Sequence, residues 1–135
     1  MKAARLLCLL VVLAITVSAL AQEGHPLSGT WSGDWGASAK EQDRTQTTII
    51  MSWDGKKISG LVDPGPDSAQ IRVGTLDSAK MWTVHLEFDK KDKAGKLVPF
   101  IVDAKLENAS SRVNRMLVGT FTHGALKGDF KIKMD

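Results

Sequence analysis

From residue 29 onward, apolar and polar positions alternate in short runs, broken by turn residues every 8 to 15 positions. Period-two alternation is the mark of a half-buried strand. It predicts strands over Gly29–Trp35, Thr45–Trp53, Lys57–Val62, Ile71–Leu76, Met81–Phe88, Leu97–Leu106, Val113–Thr122 and Gly128–Met134. The inward faces follow from parity. Thr47, Ile49, Met51 and Trp53 share one face, as do Ile58 and Val62. Trp82, Val84, Leu86 and Phe88 face in, with Met81, Thr83, His85 and Glu87 facing out. Val98, Phe100, Val102, Ala104 and Leu106 form another inner row, and Phe130, Ile132 and Met134 the last. Short strands at this spacing describe an all-β sandwich or barrel.

The connections carry their own chemistry. Residues 36–44 form a polar link with room for one helical turn. Asp54-Gly55 predicts a type I′ hairpin turn, which needs positive φ at both central residues. Asp63-Pro64-Gly65-Pro66-Asp67 reads as a rigid exposed loop, because its two prolines cannot donate to a ladder. Asp89–Lys93 mixes both charge signs and reads as a solvated loop. Pro99 suggests an edge or a bulge near the start of its strand. Turns are expected over 107–112 and 123–127. Leu27-Ser-Gly-Thr-Trp31, Ile58-Ser-Gly-Leu-Val62 and Leu117-Val-Gly-Thr-Phe121 each place glycine between large apolar residues. Glycine within a strand permits a bend or a close backbone approach, which suits a coiled sheet closing on itself.

Residues 1–21 have a different pattern. Lys2 and Arg5 precede an apolar run from Leu6 to Val17, followed by Ala19 and Ala21 in an A-x-A arrangement. That is the layout of a cleavable secretory signal. The run is shorter than the roughly 20 apolar residues a spanning helix needs. The expected organisation is a signal peptide over 1–21, a flexible lead-in over 22–28 and one barrel domain over 29–135. The expected compartment is periplasmic or extracellular, with no membrane span after cleavage. Cys8, the one cysteine, lies within the signal, so the exported chain is expected to be stable without a disulfide. Removing Lys2 and Arg5 from the 18 basic residues leaves 16 against 15 acidic ones. That near balance, with signs alternating along the chain, argues against nucleic acid as a partner. An outer-membrane barrel is disfavoured by short strands and by Arg72, His85 and Glu87 within them.

Gly29-Thr30-Trp31 resembles the start of the calycin superfamily, the lipocalin-like and avidin-like barrels. Leu27–Trp35, Pro64-Gly65-Pro66, Gly119-Thr120-Phe121 and Gly128-Asp129-Phe130 together resemble small uncharacterised exported bacterial proteins, which bring no function with them. The calycin resemblance implies an antiparallel up-and-down barrel of about eight strands. An interior of that size is either filled or holds one small ligand. The chain has no tyrosine, and the avidin-like biotin pocket does not carry over.

Trp35, Trp53, Trp82 and Phe121 are the candidate ligand-binding residues; as large apolar side chains they equally suit a packed core. Trp35, where its strand enters a polar loop, is the candidate exposed contact. Asp63, Pro64, Gly65, Pro66 and Asp67 are the candidate partner loop. His85 and Glu87 share a face and could join His123 at a metal only if the fold brought them together. No nucleophile elbow, phosphate loop, dinucleotide fingerprint or zinc motif occurs, so no catalytic residue, metal or cofactor is expected. Asn108-Ala109-Ser110 fits a glycosylation sequon, relevant only in a eukaryotic secretory host. The expected function is that of an exported non-enzymatic binding domain, for a small apolar ligand or for a protein. A protease inhibitor and a structural envelope component with a filled barrel are the alternatives.

Overall fold

The computed structural model describes residues 26–80, 82–111 and 113–135. The expected signal peptide over 1–21 with Cys8, the 22–25 part of the expected lead-in with His25, and the expected outward placement of Met81 lie outside the described residues. The described residues form nine strands: β1 (Gly29–Gly36), β2 (Arg44–Trp53), β3 (Ile58–Val62), β4 (Ala69–Gln70), β5 (Val73–Asp77), β6 (Thr83–Lys91), β7 (Leu97–Glu107), β8 (Met116–His123) and β9 (Leu126–Met134). A single 3-10 turn, Glu41–Asp43, occupies the polar link after β1. Among the described residues no helix is long and apolar enough to cross a membrane.

All strands pair antiparallel in one sheet, in the order β4-β3-β2-β1-β9-β8-β7-β6-β5. The two edge strands, β4 and β5, are consecutive in the chain and separated only by Ile71 and Arg72. The sheet must therefore curl until its edges meet. The predicted strand Ile71–Leu76 is corrected here: its stretch of chain breaks and changes partner. Ile71 N–H donates to Gly60 O of β3 at 3.0 Å, and Arg72 N–H donates to Glu87 O of β6 at 2.8 Å. Val73 also faces Glu87, so two residues oppose one, the mark of a β-bulge. With β4 and β5 counted as one broken strand, the topology is the eight-stranded up-and-down meander, completed by the β1–β9 ladder.

Glycine serves the curl where backbones come closest. A Cβ on Gly119 would overlap the Asp103 carbonyl of β7, and one on Gly74 would overlap Ile58 of β3 across the seam. Pro99 lies just beyond the β7–β8 ladder, whose last pair is Phe100 with His123, so its missing N–H costs no bond there. The Asp54-Gly55 turn differs from expectation. Gly55 has φ 97°, but Asp54 is not left-handed. Its carboxylate instead accepts from the Lys56 and Lys57 N–H groups, each at 2.8 Å, closing a four-residue loop. These bonds hold Asp54 below the usual carboxylate range, the Lys57 N–H most of all.

β1, β3, β6 and β8 run one way, so the barrel has a near end, where β1 starts, and a far end, where it finishes. Inward parity holds through the core: Trp31, Ile49, Met51, Val84, Leu86, Phe88, Phe100, Val102, Leu117, Phe121, Phe130 and Ile132 are buried. At the near end Leu27 is fully buried, and the Trp31 indole N–H donates to its carbonyl at 2.9 Å. The lead-in is thus anchored by Leu27 rather than flexible to residue 28. Trp82 falls just before β6, at φ 58°, instead of within the strand. A left-handed backbone costs a bulky residue about 1–2 kcal/mol.

Candidate functional site

Parity does not stop at Phe88. β6 runs on to Lys91, so Asp89, Lys90 and Lys91 are strand residues and not the solvated loop their charges suggested. Lys90 continues the inward row of Val84, Leu86 and Phe88. It arrives at the far-end rim opposite Asp63, the first residue after β3.

Asp63 fixes the loop that follows it. Its φ is 50°, a conformation aspartate tolerates better than most residues. Its N–H donates to Thr48 O at 2.7 Å. Its Oδ1 accepts from the Thr47 hydroxyl at 2.9 Å and from Thr48 N–H at 3.0 Å, and its Oδ2 pairs with the Lys90 ammonium. Burial pushes the Asp63 carboxyl up, but Lys90, the Thr48 N–H and the Thr47 hydroxyl outweigh it and hold the group below the usual carboxylate range. Farther along, Ser68 N–H donates to Gly65 O at 3.2 Å. Pro64, Gly65, Pro66 and Asp67 are exposed, on a loop pinned at its root.

Between this loop and the end of β6 lies an open cleft of about 470 Å³, lined by Asp63, Pro66, Asp67, Ser68, Asp89, Lys90, Lys91 and Leu97. Leu97 is 63% exposed, an apolar side chain left at the cleft wall. Asp67 and Lys91 meet at 3.5 Å on the outer side, and Arg72 approaches Asp89 at 3.6 Å at the lower end. The candidate partner loop is therefore one wall of a concave site. Sequence reasoning missed the other wall: Asp89, Lys90, Lys91 and Leu97. The signal that could have found it was the parity of the strand carried two residues past Phe88.

The four aromatic candidates do not form one pocket. Trp35 is only 9% exposed, which corrects its expected role as an exposed contact. It packs edge-on against Phe100 at 5.0 Å and Phe121 at 4.9 Å, inside the far end. Phe88, Phe100 and Phe121 stack face to face, with centroids 4.9 and 5.1 Å apart. Trp53 and Trp82 are half-buried at the near end, against the same core. The rings fill space between strands, and Trp35 and Phe121 have no free face for a ligand.

The histidines also separate. His123 is buried at the far end, tilted against Phe100 at 5.2 Å, and its Nε2–H donates to Lys90 O at 2.9 Å. His85 sits on the outer face of β6, with Nδ1 2.6 Å from Asp103 and Nε2 2.8 Å from Glu87. The metal set of His85, Glu87 and His123 is not assembled. Both His85 nitrogens meet carboxylates, so both donate when the ring is an imidazolium. Asp103 first, then Glu87, raise its pKa above the ordinary 6.5. A raised folded pKa makes this contribution full below about pH 6.5 and lost as pH rises through the folded value. We expect wild type to exceed His85→Gln in urea stability at pH 6 by under about 1 kcal/mol, since the site is near the surface. The difference should shrink toward pH 9; an unchanged gap would show that the ring's charge is irrelevant.

Also toward the far end, where β1 finishes, Arg44 bridges Asp34 and Asp129, each at 2.7 Å, and donates to Ser38 O. Asp129 is held below the usual carboxylate range by that guanidinium. The bridge ties β1, β2 and β9 together. No family model, no curated protein and no solved structure matches the chain.

Proposed function

We propose that this chain is an exported, non-enzymatic binding domain that engages a partner protein at its far-end rim. The observation that carries the proposal is the pinned loop Asp63–Ser68 standing over an open cleft whose other wall is β6. A loop whose geometry is fixed before binding loses little conformational freedom on binding. Inhibition of a secreted protease is one activity such a loop serves. The small apolar ligand is the less supported occupant, because Trp35 and Phe121 are engaged by Phe100. The leader pattern of residues 1–21 supports a periplasmic or extracellular site of action, and the meander agrees with a calycin-like barrel.

A photo-crosslinking residue in place of Pro66, expressed in the exporting host, tests this. It is expected to give a discrete protein adduct that the same probe at Lys80, exposed at the near end, does not give. Identical adducts from both positions, or none from Pro66, would remove the proposal.

A further inference from the structure

The cleft has a feature beyond its shape. Arg72 N–H donates to Glu87 O, so the peptide groups of Glu87 point away from β7, toward the seam. Strand alternation gives Asp89 and Lys91 the same direction. Here, however, β5 has already ended: its ladder with β6 stops at the Val73–Glu87 pair. The chain that would have continued it has crossed to β3 as β4. Among the described residues no strand pairs with Asp89–Lys91 on that side, whereas Leu97, Val98 and Pro99 face them on the other. The cleft wall is thus a short strand edge with no ladder partner; β4 packs close alongside β6 without bonding to it, so an added strand must move the chain over residues 68–70 outward.

Resting on the rim-binding proposal, we infer that the partner contributes an extended peptide segment, which adds as a strand to the Asp89–Lys91 edge of β6. A row of peptide donors and acceptors at two-residue spacing is matched by another extended backbone. The remaining walls suit such a segment. Pro66 and Leu97 offer apolar contact for a side chain, and about 470 Å³ accommodates a few residues, not a folded domain. Lys90 and Asp63 stay paired at the floor. Only the exposed Lys91–Asp67 pair spans the outer side, and screened pairs of that kind yield readily. Exposed strand edges otherwise invite unwanted pairing. The charged side chains of Asp89 and Lys91 and the overhanging proline loop limit access here to a narrow segment.

Hydrogen exchange read by NMR on the exported chain tests the inference in two steps. In the free protein, Phe88 and Lys90 amides are expected to be protected and Asp89 and Lys91 amides to exchange at least tenfold faster. Protection of all four in dilute protein would overturn the free edge; protection that grows with protein concentration would assign the edge to a second copy of this chain and overturn a separate partner. Linear eight-residue peptides selected by display against the wild-type domain, and counter-selected on Leu97→Arg, then serve as probes. They are expected to slow exchange at Asp89 and Lys91, and to lose at least tenfold in affinity when backbone N-methylated at alternate residues. Peptides that bind the rim without protecting these amides would overturn strand addition while leaving rim binding intact. Failure to select any peptide sensitive to Leu97→Arg would overturn both.

Discussion

Replacing Phe100 by alanine is expected to destabilise the domain by about 3–5 kcal/mol. Phe100 is fully buried, and four rings meet it: Phe88 and Phe121 on its faces, Trp35 at an edge and His123 tilted against it. Deleting the ring removes its transfer free energy and leaves a cavity that three strands would have to shift to close. Each lost aromatic pair adds about 0.5–1.5 kcal/mol beyond area. In a domain of this size the loss corresponds to a fall in Tm of roughly 15–30 °C. Phe100→Leu keeps most of the volume and is expected to cost about 1–2 kcal/mol. The exposed Leu97, three residues earlier, is the control, and Leu97→Ala should stay within about 0.5 kcal/mol. Thermal melts followed by far-UV circular dichroism separate these cases. A Phe100→Ala protein melting within a few degrees of wild type would mean that the far end of the barrel is loosely packed. It would also restore the internal ligand site that the stacked rings argue against.

The same residues show what a sequence can disclose. Parity places Phe88, Phe100 and Phe130 on inner faces from the sequence alone, because alternation is local and the pleat enforces it. It also marked out eight strand segments where nine form; the up-and-down meander was implied by the calycin resemblance and not by alternation. It could not show that Ile71 and Arg72 change partners, because that depends on two edges meeting across the sheet. It could not set the Trp82 backbone, which takes a left-handed turn against its own preference. Trp35 was misjudged from its position before a polar link; Phe100 and Phe121, some 65 and more residues later, are what bury it. For the rim, the prolines announced one wall. The other was hidden because Asp89, Lys90 and Lys91 carry charge, and charge outweighed parity in assigning them to a loop. Lys90 does face in, but its stem leads an ammonium to the half-buried Asp63 carboxylate at the rim.

That pair gives the second large effect. Asp63→Ala is expected to destabilise the domain by about 3 kcal/mol. It strands the Lys90 ammonium, leaves the Thr47 hydroxyl and Thr48 N–H without their acceptor, and puts alanine at φ 50°. Asp63→Asn keeps a carbonyl for Thr47 and Thr48 and tolerates the left-handed backbone, losing only the charge. It should cost about 1–2 kcal/mol. The two variants therefore separate loop geometry from the ion pair. Their pH dependence fixes the sign. A carboxylate whose folded pKa lies below its unfolded value of 3.8 contributes fully above that value and loses its contribution as pH falls through the folded pKa. Wild type and Asp63→Asn should thus differ at pH 7 and converge in urea stability as pH falls below 3.8 and through the folded pKa. Lys90→Met in the Asp63→Asn background should cost less than in wild type, since the partner charge is already gone. If the gap between wild type and Asp63→Asn did not narrow at all as pH falls below 3.8, the Asp63–Lys90 attraction would not be what pins the loop. The preformed rim on which partner binding rests would then have to come from the prolines and the Thr48 backbone bond alone.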